Sequence, residues 1–353
     1  MKIAILTLHA LKNPGSLLQA YALQHFLQEQ GEKVQIIDYR PRYVYNEGSS
    51  LKYFVKKLLF FPFYLRQKKK YEDFIKKYLS LSKRYNSYEE LKEMPVHADV
   101  YMLGSDQLWN CDHPCGKDPV FYLSFTEGVK IAYATSIGKP IVDDINIEII
   151  RKYSSQFKHI GLREKSNATQ ISRALDRKVE WVCDPVLLLD ANNYNSMIDS
   201  SKNISMNNYV MVYLSPKSKL LDEIVAYYKK KGCKIILVGG FTKRCECDAH
   251  IKDAGPVDFL YYIKHAQCVV STSFHATTFC HILHIPFVAI VPKTNGERIN
   301  SLLELSGLTN RGIYSNEINM ADVEKPIDWE SVDLKIGAYI RQSQDLLNSW
   351  LKE

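Results

Sequence analysis

The sequence predicts an α/β fold of two similar domains, each built on a parallel β-sheet, and three observations indicate it. The chain has 353 residues, which suits two domains of roughly 150 residues each. A strand, a glycine-bearing turn, a helix and a second strand follow one another within residues 1–39. The same order of elements recurs from residue 209. Strands that alternate with helices are typical of βαβ units and therefore of a parallel sheet.

The pattern of apolar and helix-breaking residues marks each element of the first βαβ unit. The opening segment MKIAILTL is almost continuously apolar, as expected of a strand buried on both faces. Four residues that break or cap structure come next: Asn13, Pro14, Gly15 and Ser16. The helix LLQAYALQHFLQEQG follows, and Gly31 is a natural residue to end it. The segment VQIIDY then predicts the second strand.

The rest of the first domain, residues 1–190, contains an insertion. Residues 50–92 are rich in lysine, tyrosine and phenylalanine and predict two helices. The segments DVYMLGSDQLWN and KIAYATSIG each predict a strand followed by a loop. Residues 145–175 predict helices interrupted near HIGLREKS, and VEWVCDPVLLL predicts a strand or two.

The second domain, residues 191–353, begins with the strand YVMVYLSPKS, the helix LLDEIVAYYKKKG and the strand CKIILVGG. QCVVSTS and PFVAIV predict further strands. The final segment KIGAYIRQSQDLLNSWLKE is an amphipathic helix that we expect to pack back on the first domain.

The composition narrows the class of protein. Hydrophobic residues make up 46% and charged residues 24% of the chain, as in an ordinary globular protein. The net charge of +7 suits anionic substrates but does not by itself indicate nucleic acid. The longest aromatic-aliphatic run, LLFFPFYL, is far shorter than the about 20 residues of a membrane span. The N-terminus lacks a secretory pattern, so we expect a cytoplasmic protein whose eight cysteines are reduced.

The loop GSDQLWN follows a predicted strand, where polar side chains face the crevice that binds ligands in parallel sheets. Asp106 is suited to accept a proton or to bind sugar hydroxyls, and Trp109 offers a stacking surface for a sugar ring. The alternative is a loop with a packed tryptophan and a capping aspartate.

The turn after the first strand presents free backbone N–H groups to an anion or a sugar hydroxyl. Its alternative is an ordinary βα turn that Ser16 caps.

The segment STSFHATTF at 271–279 is the strongest candidate site, because His275 lies where a strand gives way to a helix. A histidine at that position can act as a general acid or base near neutral pH, and the helix N-terminus can bind phosphate. The alternative is a capping histidine among hydroxyls that bind only local backbone.

Arg163 in LREKS carries a guanidinium that suits a carboxylate or phosphate. The alternative is a pair with Glu164 on a solvated helix face.

The cysteine clusters around residues 111–115 and 245–250 lack the paired spacing of a structural zinc site, so we predict no metal.

Basic residues interleave with aromatic ones between Lys52 and Arg84. Such a segment can bind an anionic bilayer peripherally, here at the inner membrane face. The alternative is a pair of helices with a solvated basic face that covers one domain. We expect no nucleic-acid partner, because no recognition motif accompanies the charge.

These segments, taken in order, resemble the polysaccharide pyruvyl transferase family. The resemblance runs from residue 1 to about 310 through NPGSLLQAYALQHFL, VQIIDYRP, GSDQLWN, YATSIG, LREKS, CDPVLLL, SFHATTFCHILHIPFV and ERINSLLELSGL. It implies two Rossmann-like domains in the arrangement of glycosyltransferase-B enzymes. It also implies transfer of the enolpyruvyl part of phosphoenolpyruvate to a sugar diol, which gives a cyclic pyruvate ketal and phosphate without a cofactor.

The resemblance also implies roles for individual residues. His275 and Asp106 would be catalytic, and the other residues divide between donor and acceptor. The donor-binding residues would be Arg163, Ser273, Phe274, Arg298 and Lys217, and the acceptor-binding residues Asn13, Gly15, Ser16, Gln19, Ser105, Trp109 and Asn110.

Two positions depart from the family pattern. Many members carry an arginine where this chain has Ser273, and many have a longer Gly-Asn-x-Gly-Asp turn where this chain has Asn13-Pro14-Gly15-Ser16. Arg298 or Lys217 would then supply the missing charge. The acceptor would be a polysaccharide repeat unit or its lipid-linked precursor. Two rival hypotheses stay open: a glycosyltransferase that uses a nucleotide sugar, and a non-catalytic carbohydrate-binding relative that has lost the donor site.

Overall fold

The computed structural model describes residues 1–45, 59–199, 206–294, 296–314 and 318–353. Their contacts divide the chain into two compact units. The first unit contains the described residues of Met1–Glu47, Ile75–Leu189 and Gly337–Glu353. The second unit contains those of Gly48–Phe74 and Asp190–Ile336.

The first unit is built on a parallel sheet with the strand order β3-β2-β1-β4-β5-β6-β7. The strands are β1 (Lys2–Leu6), β2 (Lys33–Tyr39), β3 (Leu81–Tyr85), β4 (Val100–Leu103), β5 (Val129–Thr135), β6 (Phe157–Leu162) and β7 (Glu180–Trp181). Except at its first residue, β1 is buried along its length, as its apolar sequence predicts. The order 3-2-1-4-5-6 is that of Rossmann-type sheets.

Helices connect these strands. They are α1 (Pro14–Glu29), α2 (Arg42–Tyr45), α3 (Phe61–Tyr78), α4 (Tyr88–Glu93), α5 (Asp144–Ser154) and α6 (Lys165–Leu175). Asn13, not Ser16, caps α1, because its side chain accepts a hydrogen bond from the Gly15 amide at 3.0 Å. Gly31 follows the helix with φ +86, a conformation that favours glycine.

The second unit repeats the same topology in a parallel sheet with the order β10-β9-β8-β11-β12-β13. Its strands are β8 (Tyr209–Tyr213), β9 (Lys234–Val238), β10 (Ala249–Ile251), β11 (Cys268–Ser271), β12 (Phe287–Ile290) and β13 (Gly312–Ile313). The helices in this second half of the chain are α7 (Ala191–Asp199), α8 (Lys219–Lys230), α9 (Pro256–Lys264), α10 (Phe274–Ile282), α11 (Glu297–Ser306), α12 (Met320–Val323) and α13 (Trp329–Lys352). The predicted pair of similar α/β domains thus corresponds to two sheets of one strand order.

Three predicted elements differ from the structure. Within the predicted insertion 50–92, residues 81–85 form the edge strand β3; the part up to residue 58 lies outside the described residues. The interruption between the helices of 145–175 is the strand β6. VEWVCDPVLLL forms the two-residue strand β7 and a 3-10 helix over Pro185–Leu188, because the Asp184 side chain caps that helix ahead of Pro185.

The two units also depart from the predicted ranges 1–190 and 191–353 in two segments. The described part of Gly48–Phe74 belongs to the second unit, and Gly337–Glu353 belongs to the first. The second departure has a packing cause: the Trp350 ring stacks on His159 with a centroid distance of 5.1 Å. In addition, the Cys183 amide donates to the Ser343 hydroxyl at 3.0 Å.

Within the described ranges, no helix is long and apolar enough to cross a membrane.

Candidate functional site

The strand order places the candidate sites. In each sheet the order reverses between two adjacent parallel strands, β1 and β4 in the first unit and β8 and β11 in the second. Ligands of open parallel sheets bind outside the carboxyl ends of the strands at such a point. The loops to consider are therefore those that leave these four strands.

In the first unit, the loops after β1 and β4 meet at Asp106. The Ser16 hydroxyl donates a hydrogen bond of 2.5 Å to Asp106 Oδ2, and the Gln107 amide donates to Asp106 Oδ1 at 2.9 Å. Asp106 has φ +93, which is uncommon for a residue with a side chain. Such strained backbone clusters at functional sites, so this loop is the strongest candidate of the first unit.

The predicted acceptor residue Gln19 is buried beneath this turn. Its side-chain amide donates to Thr7 Oγ1 at 2.9 Å and to the Ser16 carbonyl at 2.8 Å. Gln19 therefore holds the turn in place instead of facing a ligand. Of the residues predicted in this turn, only Asn13 is exposed, while Gly15 and Ser16 are buried.

The predicted stacking role of Trp109 is wrong. Trp109 is 0% exposed, its ring stacks on Tyr122 with a centroid distance of 5.6 Å, and its Nε1 donates to the Phe121 carbonyl. No face of the ring is left for a sugar. Asn110 is buried as well, and its side-chain oxygen accepts from the Asp112 amide, so both residues shape the loop from inside.

Arg163 lies at the end of β6 in a buried ion pair. Its Nη1 lies 2.6 Å from Asp184 Oδ2 and 3.1 Å from the Ser105 hydroxyl. Burial alone would lower the pKa of the Arg163 guanidinium, but the nearby carboxylates, Asp184 foremost, raise it. Arg163 thus has an internal carboxylate partner, which replaces its predicted role as the donor's anion partner. The same geometry places Ser105 inside the unit.

The alternative for Arg163 is also wrong, because neither Arg163 nor Glu164 lies on a solvated helix face. Glu164 is 0% exposed, and its Oε1 accepts a hydrogen bond from the Ser136 hydroxyl. The Ser136 amide in turn donates to the Asp106 carbonyl at 2.9 Å. A chain of hydrogen bonds therefore connects the ends of three strands in the first unit.

The first unit also has a surface pocket that the sequence reasoning missed. It has a volume of about 870 Å³ and lies beside the carboxyl ends of β2 and β3. Its lining mixes tyrosine rings with polar and charged side chains, among them Tyr39, Arg42, Tyr43, Asn86, Tyr88 and Lys117. The available signal was the high tyrosine count, 23 of 353 residues, with tyrosines grouped just after these strands.

In the second unit, the loops after β8 and β11 are joined by hydroxyl groups. The Thr272 hydroxyl donates to the Leu214 carbonyl at 2.7 Å, and the Ser271 hydroxyl donates to the Tyr213 carbonyl at 2.8 Å. Thr277 and Thr278 donate to carbonyls one turn back in α10. These hydroxyls fix the loops to one another, as the alternative interpretation of the segment expects.

His275 lies in the first turn of α10. Ser273 caps this helix, since its hydroxyl accepts from the Ala276 amide at 3.3 Å. His275 is 7% exposed and lies beside the ring of Phe274, with a centroid distance of 5.3 Å. The N-terminus of α10 carries a partial positive charge, which makes this end of β11 suitable for an anion.

Two basic residues of the predicted donor set, Arg298 and Lys217, lie in the segments that follow β12 and β8. Arg298 is in the first turn of α11, and its guanidinium carbon lies 5.6 Å from the centroid of the Phe274 ring. Lys217 is exposed in the loop between β8 and α8. The second unit therefore brings a histidine, an arginine and a lysine to the carboxyl ends of β8, β11 and β12.

The described residues contain no group of three or more histidine, cysteine or carboxylate side chains placed to hold a metal ion. All eight cysteines are free thiols.

Comparison with known proteins identifies the fold. No curated protein matches the sequence. A UDP-GlcNAc 2-epimerase from Methanocaldococcus jannaschii is similar at TM-score 0.52 and 12% identity, over 96% of this chain and 93% of that one. A UDP-GlcNAc 2-epimerase from Neisseria meningitidis, bound to UDP-GlcNAc, is similar at TM-score 0.51 and 12% identity over 100% of both chains. The predicted fold class, two Rossmann-like domains of the glycosyltransferase-B type, is confirmed.

A family model identifies the chain itself. The model described as polysaccharide pyruvyl transferase matches residues 13–294, a range that includes both Asp106 and His275. That family consists of transferases of polysaccharide biosynthesis, and a match over most of the sequence shows membership. The chain belongs to the polysaccharide pyruvyl transferase family.

Proposed function

We propose that the protein transfers pyruvate from phosphoenolpyruvate to a sugar diol and forms a pyruvate ketal. The acceptor is a polysaccharide repeat unit or its lipid-linked precursor. The observation that carries the proposal is that His275, Arg298 and Lys217 all lie in segments that follow the carboxyl ends of strands in the second unit. This group combines an acid-base residue with positive charge, which is what an anionic enol ester requires.

The donor has two anionic groups, a carboxylate and a phosphate. The N-terminus of α10 and the Arg298 guanidinium suit these groups because charge-assisted hydrogen bonds are the strongest that a protein offers. Arg298 contacts Phe274, the residue that follows Ser273. This contact supports the idea that Arg298 supplies the charge that many family members place at position 273.

The proposed reaction conserves atoms and protons. His275 donates a proton to the methylene carbon of the enol, and the adjacent carbon becomes oxocarbenium-like. One sugar hydroxyl adds to that carbon and gives up its proton. The carbon–oxygen bond to phosphate then breaks, and the second hydroxyl closes the ketal ring. One of the two hydroxyl protons restores the proton that His275 donated, and the other leaves on the phosphate.

Asp106 is proposed to accept a hydroxyl proton from the acceptor. Its contact with Ser16 and its strained backbone support this assignment, because both fix the direction of the carboxylate. The tyrosine-lined pocket of the first unit supports a carbohydrate acceptor. Aromatic rings offer apolar faces to sugar rings, and its mixed charges offer both donors and acceptors to hydroxyls.

The test is release of phosphate from phosphoenolpyruvate in the presence of galactosides and mannosides, with the product ketal followed by NMR. The wild type should release phosphate only with an acceptor. His275→Gln should lower kcat by roughly 10²-fold or more, while His265→Gln, a matched change at an exposed histidine of the same unit, should not. Absence of phosphate with every acceptor, together with no thermal shift by phosphoenolpyruvate, would refute the proposal. A thermal shift with UDP-GlcNAc instead would favour a glycosyltransferase.

A further inference from the structure

The start of α3 and Leu59 just before it expose apolar side chains, although this helix already has a buried face. Tyr64, Tyr71 and Phe74 are buried. Leu59, Phe61 and Leu65 are 70%, 46% and 45% exposed, and we call these three residues the apolar patch. Phe61 and Leu65 lie one helical turn apart and therefore on one face. Exposed apolar clusters of this kind mark interaction surfaces.

Basic side chains continue the surface along α3. The helix carries six lysine or arginine residues and two acidic ones. The side chains of Arg66, Lys68 and Lys69 are 53%, 50% and 75% exposed. Lys68 and Lys69 pair with acidic residues one turn further on, but exposed pairs of this kind contribute little. These lysines can therefore exchange their partners for other anions.

Positive charge also contacts two aromatic rings near the start of α3. Lys252 Nζ is 4.9 Å from the centroid of the Phe60 ring and 5.1 Å from that of Phe63. The Phe63 ring also contacts Arg66, whose guanidinium carbon lies 4.6 Å from the ring centroid. On the helix itself, Phe61, Leu65, Lys68 and Lys69 lie at spacings of three and four residues, so that apolar and basic side chains share one face of α3.

We propose that this surface docks on an anionic lipid bilayer. Apolar side chains would enter the interface, and each basic residue near an anionic surface would add about 1 kcal/mol of attraction. The charge pattern disfavours a second copy of the chain as occupant, because a two-fold contact would bring two surfaces of the same positive sign together. Docking of this kind would hold the enzyme beside a lipid-linked acceptor, but its test requires neither donor nor acceptor.

The experiment is co-sedimentation of the full chain with vesicles. Vesicles of phosphatidylcholine with phosphatidylglycerol are compared with vesicles of phosphatidylcholine alone. The wild type should bind only the anionic vesicles. Binding should weaken as salt rises from about 0.1 M to about 1 M, because the Debye length falls from about 10 Å to about 3 Å.

Variants distinguish binding through this surface from nonspecific adsorption to vesicles. Phe61→Ser/Leu65→Ser and Lys68→Gln/Lys69→Gln should each weaken vesicle binding at least several-fold and leave the thermal unfolding temperature unchanged. Ile141→Ser/Leu334→Ser, which changes apolar side chains that are 77% and 69% exposed elsewhere, should bind as the wild type does. Three results would overturn the proposal: no binding to anionic vesicles at low salt, equal binding by the Phe61→Ser/Leu65→Ser variant, or a dimer in sedimentation velocity that this variant abolishes.

Discussion

At the scale of single residues, Trp109 shows how a side chain that looks functional can belong to the core. We expect Trp109→Ala to lower the free energy of unfolding by roughly 3–5 kcal/mol, because it removes a fully buried ring. Urea unfolding followed by circular dichroism measures this. Tyr314→Ala, at a tyrosine that is 54% exposed, should change stability by less than about 0.5 kcal/mol. If Trp109→Phe raised KM for the acceptor without affecting stability, the core assignment would be wrong.

Asp38 gives a second prediction at this scale, for acid stability. Burial by itself would raise the pKa of Asp38, but hydrogen bonds from His9 and Arg40 outweigh it and lower the pKa to about 2, from 3.8. The lowered pKa stabilises the fold above about pH 4, and this contribution is lost as pH falls toward 2. We expect the stability gap between wild type and Asp38→Asn to narrow by about 1 kcal/mol between pH 5 and pH 3. A gap that stays constant in urea unfolding at these pH values would contradict the assignment.

At the scale of elements, α13 extends the first unit through Trp350. The Trp350 ring is 5% exposed, and a Cβ atom at Gly161 would lie 2.9 Å from its Cη2, so the strand β6 needs glycine there. Trp350→Ala should lower the free energy of unfolding of the first unit by roughly 3–5 kcal/mol. Leu334→Ala, at a residue of the same helix that is 69% exposed, is the control and should be near neutral. If Trp350→Ala lowered the free energy of unfolding as little as Leu334→Ala does, this end of the helix would not be packed.

The elements also show where sequence reasoning reaches its limit. The strands β1, β4 and β8 are recognisable because both faces of a central parallel strand are buried and, apart from Lys2 at the start of β1, their sequences are apolar. The edge strand β3 has only Tyr85 buried, so its sequence carries no such signal. In the candidate site, the strand-end positions of Asp106 and His275 follow from local pattern. The burial of Trp109 depends on the distant rings of Tyr122 and Phe157, which no local pattern reveals.

At the scale of the whole molecule, the two units repeat one strand order and differ in what they present at the ends of their strands. The first unit gathers carboxylates and hydroxyls around Asp106, with Arg163 neutralised by Asp184. The second unit presents His275 with Arg298 and Lys217. This difference supports assigning the anionic donor to the second unit and the sugar acceptor to the first.

The assignment of the donor is tested most directly by calorimetric titration of phosphoenolpyruvate into the wild type, Arg298→Ala and the control Arg341→Ala, which changes an exposed arginine of α13. Loss of a charge-assisted hydrogen bond of about 1.5–3 kcal/mol should weaken binding by Arg298→Ala by roughly 10- to 150-fold. Arg341→Ala should bind as tightly as the wild type. Equal affinity of Arg298→Ala and wild type, or no binding of phosphoenolpyruvate by the wild type, would contradict the donor site in the second unit.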